Sequence, residues 1–332
     1  MKAVLCKEYG PPEKLVIEEL PSPKAGKGQV VISVKAAGVN FPDVLIIQNK
    51  YQFKPPLPFS PGGEVAGVVK EVGEGVTNVK AGDHVIGSIG WGGYAEEVIC
   101  DAQRCFAYPK ELSFAEASAF VLTYGTSHHA LKDRAQIKPG ESLLVLGAAG
   151  GVGLAAVELG KVMGARVIAA ASSQEKVDLC LQHGASAGLV YPEGPLDREA
   201  QKKLSDDIKK AVGGDGANVI YDGVGGDYAE PALRSIAWEG RYLVVGFPAG
   251  IPSIPLNLTL LKGCQIVGVF WGAFTAREPK RNQANLAEMM QWVREGKLKP
   301  YVSKTFPMAR AAEALNEMMA RKAKGKLVIT ME

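Results

Sequence analysis

The sequence predicts an α/β protein in which a small β-rich domain is interrupted by a doubly wound, parallel-sheet domain. Three observations carry this. The first third holds short alternating apolar runs, "QVVISVKAAGV" (29–39) and "GEVAGVVKEVG" (63–73). Gly and Pro punctuate them at roughly the eight- to twelve-residue spacing of a small antiparallel barrel or sandwich. From about Thr123, apolar strand-like runs alternate with helical periodicity, the pattern of parallel strands joined by crossover helices. From about Trp271 the character changes again. A chain of 332 residues favours two domains over one, and the expected division is 1–122 with 271–332 for one, 123–270 for the other.

Within the middle segment, "SLLVLG" (142–147) reads as a buried parallel strand. After it Val152, Ala155, Ala156, Leu159, Val162 and Met163 recur at helical spacing. "RVIAAA" (166–171) is the next strand; Ser172 and Glu175 have the form of a capping box opening a helix that Gly184 closes. Then follow "AGLVY" (187–191), a helix near 205–212, "NVIYDGV" (218–224), a helix near 227–238, "RYLVVGF" (241–247) and "CQIVGVF" (264–270). The tail reads as helices at 283–295 and 309–322 and a closing strand "GKLVITM" (325–331).

Composition excludes several classes. Hydrophobic residues at 47%, charged residues at 22% and a net charge of +3 describe an ordinary globular chain. Without a long basic run, nucleic acid is not the expected partner. "MKAVLCKEYG" lacks the apolar centre of a signal peptide. The most membrane-like run, Leu143–Val157, is too short to span about 30 Å and is broken by glycines. Cys6, Cys100, Cys105, Cys180 and Cys264 are scattered. They form neither a disulfide framework nor a zinc knuckle, and the expected location is a reducing cytoplasm.

The chemistry concentrates between the first two strands of the middle segment. There the glycine turn reads Ala148-x-Gly150-x-x-Gly153, with Gly147 and Gly151 beside it. A turn leaving a parallel strand and opening a helix presents free N–H groups and the positive end of a helix dipole to a pyrophosphate, and side chains there would hold the phosphate away. Gly150, Gly151, Val152 and Gly153 are therefore candidate dinucleotide contacts together with Ala148. The second strand ends in Ala171, Ser172 and Ser173, with Lys176 following, where NAD-selective folds place a carboxylate. A carboxylate about 4 Å from a 2′-phosphate would cost roughly 4 kcal/mol at an intermediate dielectric. Hydroxyls and an ammonium reverse that preference, so the expected cofactor is NADPH.

With these residues in place, the chain resembles the zinc-free medium-chain dehydrogenase/reductases of the quinone oxidoreductase (zeta-crystallin-like) branch. The resemblance rests on "GVNFPDVLIIQNKY" (38–51), "PPLPFSPGGEVAGVV" (55–69), "GDHVIG" (82–87), "LTYGTSHHAL" (122–131), "KPGESLLVLGAAGGVGLAAV" (138–157) and "GKLVI" (325–329). It implies a GroES-like β-barrel domain made by both ends of the chain and a Rossmann domain between, with the nicotinamide in the cleft. It implies that Thr126 lies behind the nicotinamide ring and that Gly246, Phe247, Phe270 and Trp271 meet the carboxamide. Tyr191 and Arg321 would join Ser172 and Lys176 at the 2′-phosphate. A homodimer through the strand at 264–270 is a further implication. Zinc-dependent relatives carry ligands where this chain has Gly38-Val39-Asn40, Gly62-Gly63-Glu64 and Leu122. No metal is expected, because those side chains offer no thiolate or imidazole.

Reduction of an electron-poor acceptor needs a group that quiets charge growing on its oxygen. Asn40 offers an amide donor and Tyr51 a phenol able to donate a hydrogen bond or proton. Both match positions lining the acceptor pocket in the resembled branch, whereas Asp43 is expected to organise the loop. His84, His128, His129 and His183 lack metal-ligand spacing and are assigned no catalytic role. No G-x-S-x-G elbow supports hydrolysis. The expected activity is NADPH-dependent hydride transfer to a quinone or an α,β-unsaturated carbonyl. One alternative is an enoyl-thioester reductase, with Lys54 or the Arg277–Arg281 stretch facing the pantetheine phosphates. The other is a low-turnover NADPH-binding protein with a structural or redox-sensing role.

Overall fold

The computed structural model describes residues 1–331, which form two compact units: Met1–Leu122 with the chain from Val293 onward, and Thr123–Trp292. In the first unit a hairpin of β1 (Lys2–Leu5) and β2 (Val16–Glu19) precedes the eleven-residue β3 (Gln29–Val39) and helix α1 (Phe41–Ile47). Then come β4 (Glu64–Val72), β5 (His84–Ser88), β6 (Glu97–Asp101), β7 (Cys105–Ala107) and the short α2 (Phe114–Ala117). Strand β3 pairs antiparallel with β4 along one edge, with breaks in register at Val31/Ile32 and Val34/Ala36, and with β6 along the other. Its inward side chains, among them Val30, Ile32 and Val34, join Val65, Val85, Tyr94 and Phe306 in the core.

The second unit opens on α3 (Val121–His128), which begins just before the boundary and continues as a π-helical turn over His129–Arg134. It proceeds through β8 (Ser142–Leu146), α4 (Gly151–Val162), β9 (Arg166–Ala171), α5 (Gln174–Gln182), β10 (Ala187–Val190) and α6 (Arg198–Val212). After these come β11 (Ala217–Asp222), α7 (Ala229–Leu233), β12 (Ile236–Val244), α8 (Asn257–Lys262), β13 (Gln265–Gly268), α9 (Trp271–Arg277) and α10 (Pro279–Arg294). The six strands lie in the order β10-β9-β8-β11-β12-β13, every neighbour parallel. Strand β8 is buried along its whole length, which explains its unbroken apolar run. The chain then returns to the first unit through β14 (Val302–Pro307), α11 (Ala311–Met319) and β15 (Lys326–Thr330). Strand β15 pairs with β14 on one side and antiparallel with β3 on the other.

Three local expectations are corrected. The helix expected near 205–212 starts at Arg198, because the Asp197 carboxylate caps it by accepting the Ala200 N–H at 2.8 Å. The helix expected over 227–238 is only α7, and Ile236 already belongs to β12, where fully buried Ile236 pairs with Ala217. The capping serine of α5 is Ser173, which accepts from the Lys176 N–H at 3.3 Å, rather than Ser172. Residues 271–292, expected with the β-rich domain, pack with the parallel sheet unit. His129 stacks on Phe274 at 4.0 Å, His128 Nε2 meets Glu288 at 2.7 Å, and Asn285 donates to Asp133 at 2.9 Å.

Candidate active site

In the second unit the glycine turn is as bare as its sequence suggests, for a packing reason. A β-carbon on Gly153 would lie 2.1 Å from the Gly147 carbonyl oxygen and 2.9 Å from Ala148 Cα. Gly147 itself has φ +68, a conformation that glycine adopts without penalty. The N-cap of α4 is Gly150, with no side chain to satisfy the helix start. The first intrahelical bond runs from the Leu154 N–H to the Gly150 carbonyl at 2.8 Å. The N–H groups of Gly151, Val152 and Gly153 precede it, at the positive end of a twelve-residue helix whose first turn holds no acid. Such free N–H groups can receive an anion, and a β-carbon on Gly150 would meet nothing nearer than the Gly147 carbonyl oxygen at 3.4 Å. Ala148, by contrast, is buried and spends its N–H on the Ala170 carbonyl at 3.0 Å.

At the end of β9 the correction of the cap has a chemical consequence. With Ser173 serving α5, the Ser172 hydroxyl is left to accept from Lys176 Nζ at 2.9 Å. A hydroxyl and an ammonium thus sit together at the strand end, both half-buried. Tyr191 is brought to the same place, since its N–H donates to the Ala171 carbonyl at 2.9 Å; its ring packs against Tyr228 with centroids 4.9 Å apart. Ala171 is buried at 1% exposure, so its side chain points into the unit. Arg321, exposed with φ +55, follows α11 in the first unit.

Thr126 is carried by α3, and Ser127 beside it ties that helix to the glycine turn. The Ser127 hydroxyl donates to the Val152 carbonyl at 2.7 Å and lies 2.8 Å from the Tyr221 hydroxyl. The indole of Trp271 covers Gly125, where a β-carbon would approach it to 2.8 Å. Trp271 is thereby held against α3 at Gly125, and its buried indole N–H has no hydrogen-bond partner among the described residues. Phe247 and Phe270 are exposed, at 44% and 49%, and Gly246 is half-buried between strand end and loop. An orphaned indole N–H, an uncapped helix start and a cationic strand end form a donor set that fits a phosphorylated dinucleotide.

The first unit places Asn40 where β3 ends and α1 begins. Asn40 is 5% exposed, its N–H donates to Asp43 Oδ2 at 2.8 Å, and its amide nitrogen donates to the Gly38 carbonyl at 3.3 Å. Asp43 also accepts from the Tyr94 hydroxyl at 3.1 Å, so it does organise this loop. Burial lifts its carboxyl to about 6 against the pull of these donors and of Lys326. Tyr51 is half-buried, edge-on to Phe53 with centroids 5.9 Å apart. Burial and then the Asp43 charge raise its phenol above the ordinary value, which keeps the proton on it.

The sequence reading passed over two charged residues here. Lys326 is 3% exposed, and its ammonium donates to Asn40 Oδ1 and, at 3.0 Å, to the Val39 carbonyl. Glu64 is 1% exposed; one carboxyl oxygen accepts the Leu122 N–H at 3.0 Å and the other has no partner among the described residues. Burial pushes Glu64 up to about 7. The available signal was a charge opening an otherwise apolar strand, in "EVAGVV" and "KLVIT".

The histidines have structural partners: His128 with Glu288, His129 with Asp133 at 2.7 Å, His183 with Glu158 at 2.6 Å, and His84 against the Phe114 ring at 4.8 Å. Arg281 pairs with Asp133 at 2.8 Å and Glu278 at 3.2 Å, within the second unit. No helix of the described residues is long and apolar enough to cross a membrane.

Comparison with known proteins places the chain among oxidoreductases of known fold. Residues 26–110 match the alcohol dehydrogenase GroES-like domain family and residues 151–295 the zinc-binding dehydrogenase family. The chain is 40% identical to a quinone oxidoreductase-like protein 2 homologue of Nematostella vectensis, over 99% of this chain and 88% of that protein. Among solved structures, a probable oxidoreductase from Mycobacterium abscessus superposes with a TM-score of 0.89 at 35% identity, covering 99% of this chain and 98% of that one. The Escherichia coli quinone oxidoreductase solved in complex with NADPH superposes at 0.88 and 26% identity, covering 99% and 100%.

Proposed function

Since the chain belongs to the zinc-free quinone oxidoreductase branch of the medium-chain dehydrogenase/reductases, we propose that it is an NADPH-dependent reductase acting on a quinone or an α,β-unsaturated carbonyl. The observation that carries the cofactor half is the end of β9, where Lys176 and Ser172 meet at 2.9 Å. In this reading Gly150, Gly151, Val152 and Gly153 hold the pyrophosphate, and Ser172, Lys176 and Tyr191 receive the 2′-phosphate. Thr126, Gly246, Phe247, Phe270 and Trp271 orient the nicotinamide end, the Trp271 N–H supplying an unused donor. The cofactor, when bound, supplies the hydride.

The first unit supplies the acceptor side. Tyr51 keeps its proton at neutral pH and donates it, or a hydrogen bond, to the acceptor oxygen as negative charge grows there. The Asn40 amide is a second donor, which would exchange its contact with the Gly38 carbonyl or with Glu64 for the acceptor oxygen. Binding of NADPH in preference to NADH by calorimetry, followed by NADPH consumption over a panel of quinones and enones, tests the reading. No heat with NADPH would overturn it, and binding without turnover would favour the low-turnover alternative.

We also infer a homodimer built on the β13 edge. The outer edge of that strand has no neighbour among the described residues, and exposed apolar residues gather in its unit: Leu256, Leu260, Trp238 and Ile266. Light scattering on the purified protein tests this, and a monomer at micromolar concentration would overturn it.

A further inference from the structure

The buried charges of the first unit have no place in the reaction just described. Strand β15 pairs antiparallel with β3, setting Leu327 opposite Val39. That register delivers Lys326, across 286 residues of sequence, to the point where β3 stops and Asn40 begins α1. Its ammonium offers only donors. Wherever it meets an amide side chain, it must face the oxygen, and it does so at Asn40 Oδ1.

We propose that Lys326 is a positioning residue for the acceptor side of the site: it holds the Asn40 amide by its oxygen, which sets where the amide N–H groups lie, and anchors the start of α1. The use of that donor rests on the reductase reading above. The anchoring itself does not.

The charge count supports the arrangement. Lys326 faces two carboxyls, Glu64 from β4 and Asp43 from α1. The remaining polar neighbours are Tyr94, which donates to Asp43, the Leu122 and Val121 N–H groups and the Asn40 amide on Glu64, and Tyr51, whose phenol feels Asp43. With all three charged, a pocket closed to water would hold a net negative charge, which is expensive. One proton therefore stays. It resides on Glu64, whose carboxyl burial lifts to about 7, above the value of about 6 to which it lifts Asp43. The neutral arrangement is an ammonium, a carboxylate at Asp43 and a carboxylic acid at Glu64.

Three full-length variants test the proposal: Lys326→Met, Lys326→Met with Asp43→Asn, and Glu64→Gln. Lys326→Met strands a buried carboxylate, and both Tm and kcat should fall. Adding Asp43→Asn removes that stranded charge, so Tm should recover. The Asn40 amide still lacks its anchor, so kcat should stay at least tenfold down with the KM for NADPH unchanged. In 15N-edited spectra the Asn40 side-chain amide signal should shift in the double variant. Recovery of kcat together with Tm would reduce Lys326 to a structural role and overturn the proposal, as would an unmoved Asn40 signal. If the wild type reduces no acceptor, the reductase reading fails, and the Asn40 signal alone decides the anchoring. If both Lys326 variants fail to fold, infrared spectra of wild type and Glu64→Gln decide. A protonated-carboxyl band at pH 7 that disappears in Glu64→Gln supports the neutral cluster, and its absence from wild type overturns it.

Discussion

Lys176 Nζ donates to Ser172 Oγ at 2.9 Å, a pairing made possible because Ser173, one residue on, takes over the cap of α5. The pair puts positive charge beside a hydroxyl where a ribose phosphate would lie. A carboxylate in its place should act most strongly on the doubly charged ligand. Ala171 is the obvious position from sequence, but its side chain is buried, so Ala171→Asp would test the fold first. Ser172→Asp is the cleaner variant: NADPH affinity should fall at least tenfold while NADH affinity holds or improves. Calorimetry with both nucleotides checks this, and equal losses would remove the 2′-phosphate assignment.

The two glycines of the turn separate packing from phosphate access. Gly153→Ala forces a methyl group against the Gly147 carbonyl, 2.1 Å away. It should cost about 1–3 kcal/mol of stability, as overpacking does, along with NADPH binding. Gly150→Ala meets nothing nearer than 3.4 Å and has φ −77, which any residue adopts. It should keep the wild-type Tm and still bind NADPH more weakly. Thermal melts paired with calorimetry distinguish the two, and a Gly150→Ala protein with unaltered affinity would show that the backbone there does not approach a phosphate.

Tyr51→Phe removes the phenol and leaves the ring. Turnover at neutral pH should drop by about a hundredfold, within the range of general-acid effects. Because burial and Asp43 raise the phenol above its ordinary value, wild-type activity should show no tyrosine-linked loss on the alkaline side until beyond pH 10. Turnover unchanged in Tyr51→Phe at every pH would end its role as donor.

Glu64 makes the fold sensitive to pH in a definite direction. Its folded value, about 7, lies above the ordinary carboxyl value of 4.5. Between those values the native state holds a proton that the unfolded chain has released, so stability falls as pH rises through this window and levels off above it. Glu64→Gln lacks this component. The stability of wild type relative to Glu64→Gln should therefore decline from pH 5 to pH 8 in denaturant titrations. A constant difference would mean that Glu64 titrates normally.

Much of this protein could be read before any coordinates. Periodicity placed β8, α4 and β9 almost to the residue, because a strand buried on both faces and a helix packed along one stripe leave strong apolar signatures. The glycine turn was legible for the same kind of reason: backbone contact at Gly153 excludes every side chain. Weak signatures misled. The charged first turns of α6 and the brief α7 lie where caps and tertiary burial, not periodicity, set the boundaries. Which serine caps α5 depended on backbone geometry that two adjacent serines cannot reveal. Only the tertiary structure could bring Lys326 to Asn40 and Glu64, because a buried ion cluster is assembled by strand register between distant segments. Local sequence carries the cost of each charge and nothing of the partner that offsets it.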